Sequence, residues 1–388
     1  MPLLDQVTPF ARFIVALVAG TAACMFLAAT AFFHRRRLKR IPIRIHVAGT
    51  RGKSTVTRLV AAGLRAGGHR VVAKTTGTQP TLFHTDGSQV EIRRWGAASI
   101  REQSSLIRAA AREKANAMVA EAMAIEPEYL GALERFYIKA TDLLLTNVRP
   151  DHQEQLGDSP DAMALAITRA IPTGNRLFVT AEAATPLVRE KAQQLRCQLI
   201  VLGDAHDSDP DEVNLALARA VCRHYGIEDK ISDAAMRDAQ KEIGAFTLQS
   251  ITIRGRSVSF ANAFSCNDVV SFQKLWQRHQ PQGMPAAFLF NARADRPLRS
   301  RAFLSLLPRL APDAPLYVTQ GTWPLRQWAQ KAGFDRNRVY LLPRASAQQQ
   351  LDRVVRNVGD GTVIWGTGNF RGAGADMTTF VDATAQPC

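Results

Sequence analysis

Gly49-Thr50-Arg51-Gly52-Lys53-Ser54-Thr55 gathers two glycines, an ammonium and several hydroxyls into one short run. Gly49 and Gly52 let the backbone turn tightly, so successive N–H groups can face a single anion. Lys53 adds a point charge suited to phosphate oxygens, and the Ser54 hydroxyl suits a Mg²⁺ ion. The spacing is a shortened GxxGKS, because Val47 stands where the longer phosphate-loop motif carries its first glycine. Such a loop works only when held between a strand and a helix. Residues 43–48 read as a buried strand entering the turn. Beyond it Val56, Leu59, Val60 and Leu64 fall on one helical face, and the helix N-terminus favours bound phosphate.

Three further segments carry groups of the right type behind this loop. Lys74-Thr75-Thr76-Gly77-Thr78 is a threonine-rich turn. Met118-Val119-Ala120-Glu121 ends an apolar run on a carboxylate. Leu145-Thr146-Asn147-Val148-Arg149-Pro150-Asp151-His152, with Gly157 beyond, closes another apolar run on polar groups and an imidazole. In the C-terminal half, Asn262-Ala263-Phe264-Ser265-Cys266-Asn267-Asp268 and Asn291-Ala292-Arg293-Ala294-Asp295-Arg296 follow apolar runs, as does the glycine turn Gly366-Thr367-Gly368-Asn369. By residue type alone the bland readings stay open. Asn214 or Asp211 can cap a helix, Asn267 and Asp268 can form an Asx turn, and Arg293 and Arg296 can form surface ion pairs.

The shortened loop resembles the form found in Mur ligases and folylpolyglutamate synthetases. The threonine-rich turn, the strand ending in Glu121 and the Thr-Asn-…-Asp-His-…-Gly segment are similar to theirs in order and kind. Within the Mur-like ligases, residues 51–59, 291–296 and 366–369 resemble the B subunits of poly-γ-glutamate synthases, also called capsule biosynthesis B proteins. The likeness covers nearly the whole chain, an N-terminal hydrophobic segment included.

The resemblance implies a site. ATP would lie on Gly49, Thr50, Arg51, Gly52, Lys53, Ser54 and Thr55, with Asn214 at the adenine and Asn267 and Asp268 at the ribose or phosphates. Mg²⁺, with Mn²⁺ as a substitute, would be held by Ser54 and Glu121, and a second metal by His152, with Asp151 orienting that loop. Lys53, His152 and Arg293 would form the catalytic set. Arg293 and Arg296 would hold an anionic substrate or the γ-phosphate, with Asp295 as orienting partner, and Thr78, Gly366 and Asn369 would line the substrate path. The implied activity is that of an ATP-dependent, ADP-forming amide ligase. It activates a glutamate γ-carboxylate as an acyl phosphate and joins it to the amine of another glutamate. Implied partners are the growing poly-γ-glutamate chain, an integral membrane C subunit, an extracytoplasmic A subunit and further copies of the chain. Two alternatives share the loop: a membrane-tethered ATPase driving assembly or export, and a folylpolyglutamate synthetase-like ligase. A pure ATPase does not require a second α/β domain with an Asn/Arg set.

There are departures from the pattern. Many Mur enzymes place a carbamylated lysine shortly after the Asp-His loop, and residues 157–172 contain no lysine. The large N-terminal domain that binds UDP-sugars has no counterpart, which argues against peptidoglycan precursor ligation.

Two alternations of short apolar runs with amphipathic stretches organise the rest. Strands are expected at 43–48, 117–121, 143–147, 177–180 and 199–202, then at 257–264, 286–291, 316–319, 339–342 and 362–365, with a helix over 214–222. That predicts an α/β fold. A central ATP-binding domain with a mainly parallel sheet spans 41–245, and a smaller Rossmann-like domain spans 246–388. Residues 1–40 form a membrane helix and its basic flank: 13–33 is uncharged and long enough to cross a bilayer, and Arg35, Arg36, Arg37, Lys39 and Arg40 follow. The basic flank places the N-terminus outside and the catalytic domains in the cytoplasm, as a single-pass protein of the cytoplasmic membrane. A signal peptide cleaved near Ala29-Thr30-Ala31 would need the opposite charge asymmetry. The net charge of +15 comes without an aromatic-interleaved basic stripe, which argues against nucleic acid. Five scattered cysteines without CxxC spacing argue against disulfides or zinc.

Overall fold

The structure is a computed structural model and describes residues 9–77, 80–92, 99, 102–123, 126–149, 160–203, 210–239, 246–266, 268–292, 297–319 and 323–385. The chain divides into two compact units, Met1–Gln240 and Lys241–Cys388.

The first unit begins with helix α1 (Pro9–Leu38), whose apolar side chains such as Phe13, Phe26, Leu27 and Phe33 are exposed. Its stretch Phe10–Leu38 is long and apolar enough to cross a membrane. The chain then enters β1 (Ile43–Ala48) and, after the glycine turn, α2 (Lys53–Ala66). Next come β2 (Val71–Lys74), β3 (Thr81–Phe83), β4 (Gln89–Glu91), α3 (Gln103–Arg112) and β5 (Ala117–Glu121). Helix α4 (Pro127–Ala132) runs on into a π-helical turn, Leu133–Ile138. Strands β6 (Asp142–Leu145), β7 (Arg176–Val179) and β8 (Gln198–Val201) complete the sheet. Its order is β4-β3-β2-β5-β1-β6-β7-β8. Strands β2, β5, β1, β6, β7 and β8 are parallel, and β3 and β4 are antiparallel additions at one edge.

Strand β1 is buried on both faces, as a central parallel strand must be. Ile45 and Val47 meet Val56, Val60 and Leu64 of α2 in one core. Ala48 faces the opposite layer with Leu143, Leu145 and Leu177. Because β5 lies on one side of β1 and β6 on the other, the carboxyl end of β1 is a crevice between diverging connections, where such sheets bind ligands.

The second unit carries β9 (Thr247–Ile253), β10 (Arg256–Asn262), β11 (Ala286–Asn291), β12 (Leu316–Thr319), β13 (Val339–Leu341) and β14 (Val363–Thr367) in the order β13-β12-β11-β14-β10-β9. All are parallel except β9. Trp365 and Phe288 fill one side of this sheet, and Phe260, Leu289 and Tyr317 the other. The described cysteines are free thiols; burial pushes the Cys222 thiol up to about 12, which makes it an inert core group.

At the amino end of the first sheet, Asp142 is fully buried and accepts from Arg176 at 2.6 and 3.1 Å, from the Thr141 hydroxyl at 2.6 Å and from the Tyr225 hydroxyl at 2.5 Å. Removing the acceptor strands a guanidinium and a phenol. Asp142→Ala is therefore expected to cost about 3 kcal/mol. A urea midpoint lower by about 1 M, followed by circular dichroism, is the check. An unchanged midpoint would show that solvent satisfies Arg176 and Tyr225 unaided.

Candidate functional site

Gly49 and Gly52 adopt φ of 125° and 77°, values that side-chain-bearing residues rarely take. A Cβ on Gly49 would lie 2.2 Å from the Thr146 hydroxyl, and one on Gly52 would lie 2.5 Å from Asn214 Oδ1. Both glycines are thus demanded twice, by backbone and by space. Gly52→Ala is expected to cost about 1–2 kcal/mol in backbone strain and to push Asn214 out of place, weakening nucleotide binding at least tenfold. Calorimetric titration with ADP tests this; native affinity would mean the loop tolerates a different turn.

The Thr-Asn pair at the end of β6 fixes the loop. Asn147 Oδ1 accepts from the Thr50 hydroxyl at 2.5 Å and from Arg51 N–H at 2.9 Å, while Asn147 Nδ2 donates to Arg51 O at 3.1 Å. The Thr146 hydroxyl donates to Arg51 O at 2.6 Å. With these carbonyls and side chains tied down, the loop N–H groups keep a set direction, which is what an anion site needs. Thr146 and Asn147 were legible in the sequence only as part of a signature, and their bracing function comes from the structure.

Lys53 opens α2 and folds back over the loop, donating to Gly49 O at 2.8 Å and Thr50 O at 3.1 Å. One residue on, the Ser54 hydroxyl donates to Glu121 Oε2 at 2.9 Å. That oxygen also accepts from Thr76 N–H at 2.6 Å. Ser54 is 6% and Glu121 3% exposed. Gln103, which opens α3, donates from Nε2 to the Glu121 carbonyl at 2.9 Å and holds the strand end. Four elements therefore converge on one carboxylate and one hydroxyl: α2, β5, α3 and the turn after β2. A carboxylate oxygen and a hydroxyl within 3 Å of each other, both hard ligands, fit a divalent cation. Among the described residues no group of three His, Cys, Asp or Glu gathers as a metal cluster. Thr78, Asp151, His152 and Gly157 lie outside the described residues, as do Asn267, Arg293, Asp295 and Arg296.

Asn214 lies inside the helix Pro210–His224 and cannot be its cap; the helix starts at Pro210, whose fixed φ suits a first turn. Its amide packs against Gly52, in the glycine loop after β1. Asp268 does cap: its carboxylate accepts from Ser271 N–H at 2.8 Å at the start of helix Val269–His279. In the second unit, Gly366 and Asn369 are buried at the end of β14. Asn369 Nδ2 donates to Asn291 O at 3.1 Å, Arg299 donates to Asn369 Oδ1 at 3.3 Å, and Asn291 Nδ2 donates to Asn369 O at 2.6 Å. These bonds make Asn369 a brace between the ends of β11 and β14, with its amide used at both ends.

Two family descriptions match the chain in succession: the Mur ligase middle domain over residues 47–235 and the poly-gamma-glutamate synthase CapB C-terminal domain over 248–384. PGA synthase CapB of Bacillus subtilis (strain 168) is 27% identical over 357 residues, covering 88% of this chain and 90% of that protein. Capsule biosynthesis protein CapB of Bacillus anthracis is 28% identical over 365 residues, covering 90% and 78%. Among solved structures, a bifunctional folylpolyglutamate synthase/dihydrofolate synthase of Yersinia pestis complexed with AMPPNP and Mn ion superposes with a TM-score of 0.64 at 14% identity, covering 91% of this chain and 92% of that one. That similarity shows a shared fold.

Proposed function

We propose that this chain, which belongs to the Mur ligase-like CapB family, is an ATP-dependent amide ligase that makes poly-γ-glutamate at the membrane. One observation carries the reading: the Ser54–Glu121 pair set directly behind a glycine-built anion loop at the carboxyl end of β1. Joining a carboxylate to an amine at neutral pH is uphill. The γ-carboxylate of one glutamate takes the γ-phosphoryl group of ATP, releasing ADP. The amine of the next glutamate then displaces phosphate to form the amide.

The protein's part is to neutralise crowded negative charge and align the reactants. The loop amides and Lys53 serve the phosphates, and Asn214 serves the nucleoside. Ser54 and Glu121 would hold one divalent cation, Mg²⁺ with Mn²⁺ as substitute, which when bound would supply charge neutralisation. His152 is assigned a second metal, Asn267 and Asp268 the ribose or phosphates, and Thr78, Arg293 and Arg296 the anionic substrate. Helix α1 supports a single-pass anchor with the N-terminus outside and both units in the cytoplasm, beside membrane-embedded and extracytoplasmic subunits that receive the polymer.

The test is incubation of the full chain, in membranes with those partners, with ATP, Mg²⁺ and labelled glutamate. Label in a polymer that γ-glutamyl hydrolysis releases supports the ligase. Phosphate release without label transfer would make it an ATPase, and label joined only to an added folate would make it folylpolyglutamate synthetase-like.

A further inference from the structure

Only residues 39–42 separate α1 from β1, so the amino end of the first sheet is held within about 15 Å of the apolar helix. The join is also packed. Leu38 and Ile41 are buried. His34 Nε2 lies 3.1 Å from Tyr137 O, and the two rings meet edge-on at 5.7 Å. Arg44, the second residue of β1, donates to Ile41 O and to Lys139 O, each at 2.8 Å. The π-helical turn Leu133–Ile138 and the residues beside it are therefore fixed against the end of α1.

A groove of about 790 Å³ opens at that end of the sheet, lined by Arg44, Arg135, Lys139, Arg169 and Lys191. Arg135, Lys139 and Arg169 are exposed. Two carboxylates line the same groove. Glu134 is turned inward, 3.1 Å from His46 Nδ1 and accepting from Ala140 N–H at 2.7 Å, which leaves Glu128 as the exposed acid. Phe136, which also lines the groove, is 60% exposed, with Arg135 5.7 Å over its ring, and Tyr129, next in sequence to Glu128, is 54% exposed. Cations interleaved with exposed aromatics are the composition that sits at a membrane–water interface.

We propose that this face binds anionic phospholipid headgroups of the membrane that holds α1, so that the amino end of the sheet rests on the bilayer. The six residues of β1 then carry the anion loop about 20 Å to the far end of the sheet, open to the cytosol where ATP and glutamate are. A polyanionic γ-glutamate chain would also suit the cations. The exposed aromatics and the direct tie to α1 favour lipid. The proposal rests on α1 spanning the membrane and not on the ligase reading.

The test uses the full chain in lipid nanodiscs of phosphatidylcholine alone, or with about a third phosphatidylglycerol, and reads amide hydrogen exchange over residues 127–139 and 168–175. About tenfold slower exchange is expected in the anionic discs. Arg135→Glu, Lys139→Glu and Arg169→Glu together should abolish that difference. High salt should abolish it in the unaltered chain, a check that needs no variant. Arg135→Lys with Arg169→Lys should preserve it. Equal exchange in both lipids, or protection that survives the charge reversal, would overturn the proposal. So would protection produced by added poly-γ-glutamate in phosphatidylcholine discs and not by anionic lipid, which would assign the face to the polymer. Failure of the chain to enter either disc would instead overturn the reading of α1.

Discussion

Lys53→Ala should lower ATP-dependent glutamate incorporation by about 10²–10³-fold, the loss seen when a single preorganised charge-stabilising donor is removed from a reacting centre. The Lys53 ammonium stands at the mouth of the loop, 2.8 Å from Gly49 O and 3.1 Å from Thr50 O. It is the cation closest in sequence to the N-terminus of α2, where transferred charge would collect. Truncation leaves two partly solvated carbonyls without one donor, which water can replace, so thermal stability should change by less than about 1 kcal/mol. Lys53→Arg keeps the charge but replaces a compact ammonium with a planar fork, and it should recover little activity. Label incorporation and nucleotide titration on both variants make the check. Normal turnover by Lys53→Ala would remove the nucleotide assignment from this loop.

The parts of this molecule that were legible in the sequence are those where one physical signal dominates. Strands 43–48, 117–121, 286–291 and 316–319 stand in the structure with those bounds, because a fully buried parallel strand is a short apolar run between turn residues. The short edge elements were not legible. Strands β3 and β4 have three residues each, and in β9, Thr247–Ile253, the exposed Leu248 and the inward-facing Gln249 break the alternation of polar and apolar residues that marks a half-buried strand. The glycine loop after β1 was readable because glycine at φ 125° and 77° leaves a compositional mark. The bracing by Asn147, Thr146 and Gln103 left no such mark, since each acts on backbone atoms roughly 20 to 100 positions away. Asn214 shows the limit from the other side. A residue type that favours caps sits inside the helix Pro210–His224, where close approach to Gly52 decides its place.

Glu121→Gln should reduce turnover by about 10²-fold at ordinary Mg²⁺ and shift the half-saturating metal concentration upward by at least about tenfold. The substitution is chosen because it keeps the shape. Oε2 of Glu121 accepts from the Ser54 hydroxyl at 2.9 Å and from Thr76 N–H at 2.6 Å, and an amide oxygen in the same place accepts both bonds. Gln103 holds the Glu121 carbonyl, a backbone atom that the substitution does not alter. What changes is the charge. The residue is 3% exposed, and in so buried a place a carboxylate next to a hydroxyl is costly to desolvate unless a cation shares the site. Loss of the charge should therefore leave the fold intact or slightly stabilised without metal, and weaken the metal itself. Direct Mn²⁺ binding, read by the loss of the free-ion paramagnetic signal, separates this from a failure of chemistry. Raising Mg²⁺ should restore part of the turnover of Glu121→Gln, and of Ser54→Ala, but none of that of Lys53→Ala. If both variants kept the native metal dependence and Mn²⁺ affinity, Ser54 and Glu121 would be a buried hydrogen-bonded pair that holds α2 to β5, and the cation would have to sit elsewhere.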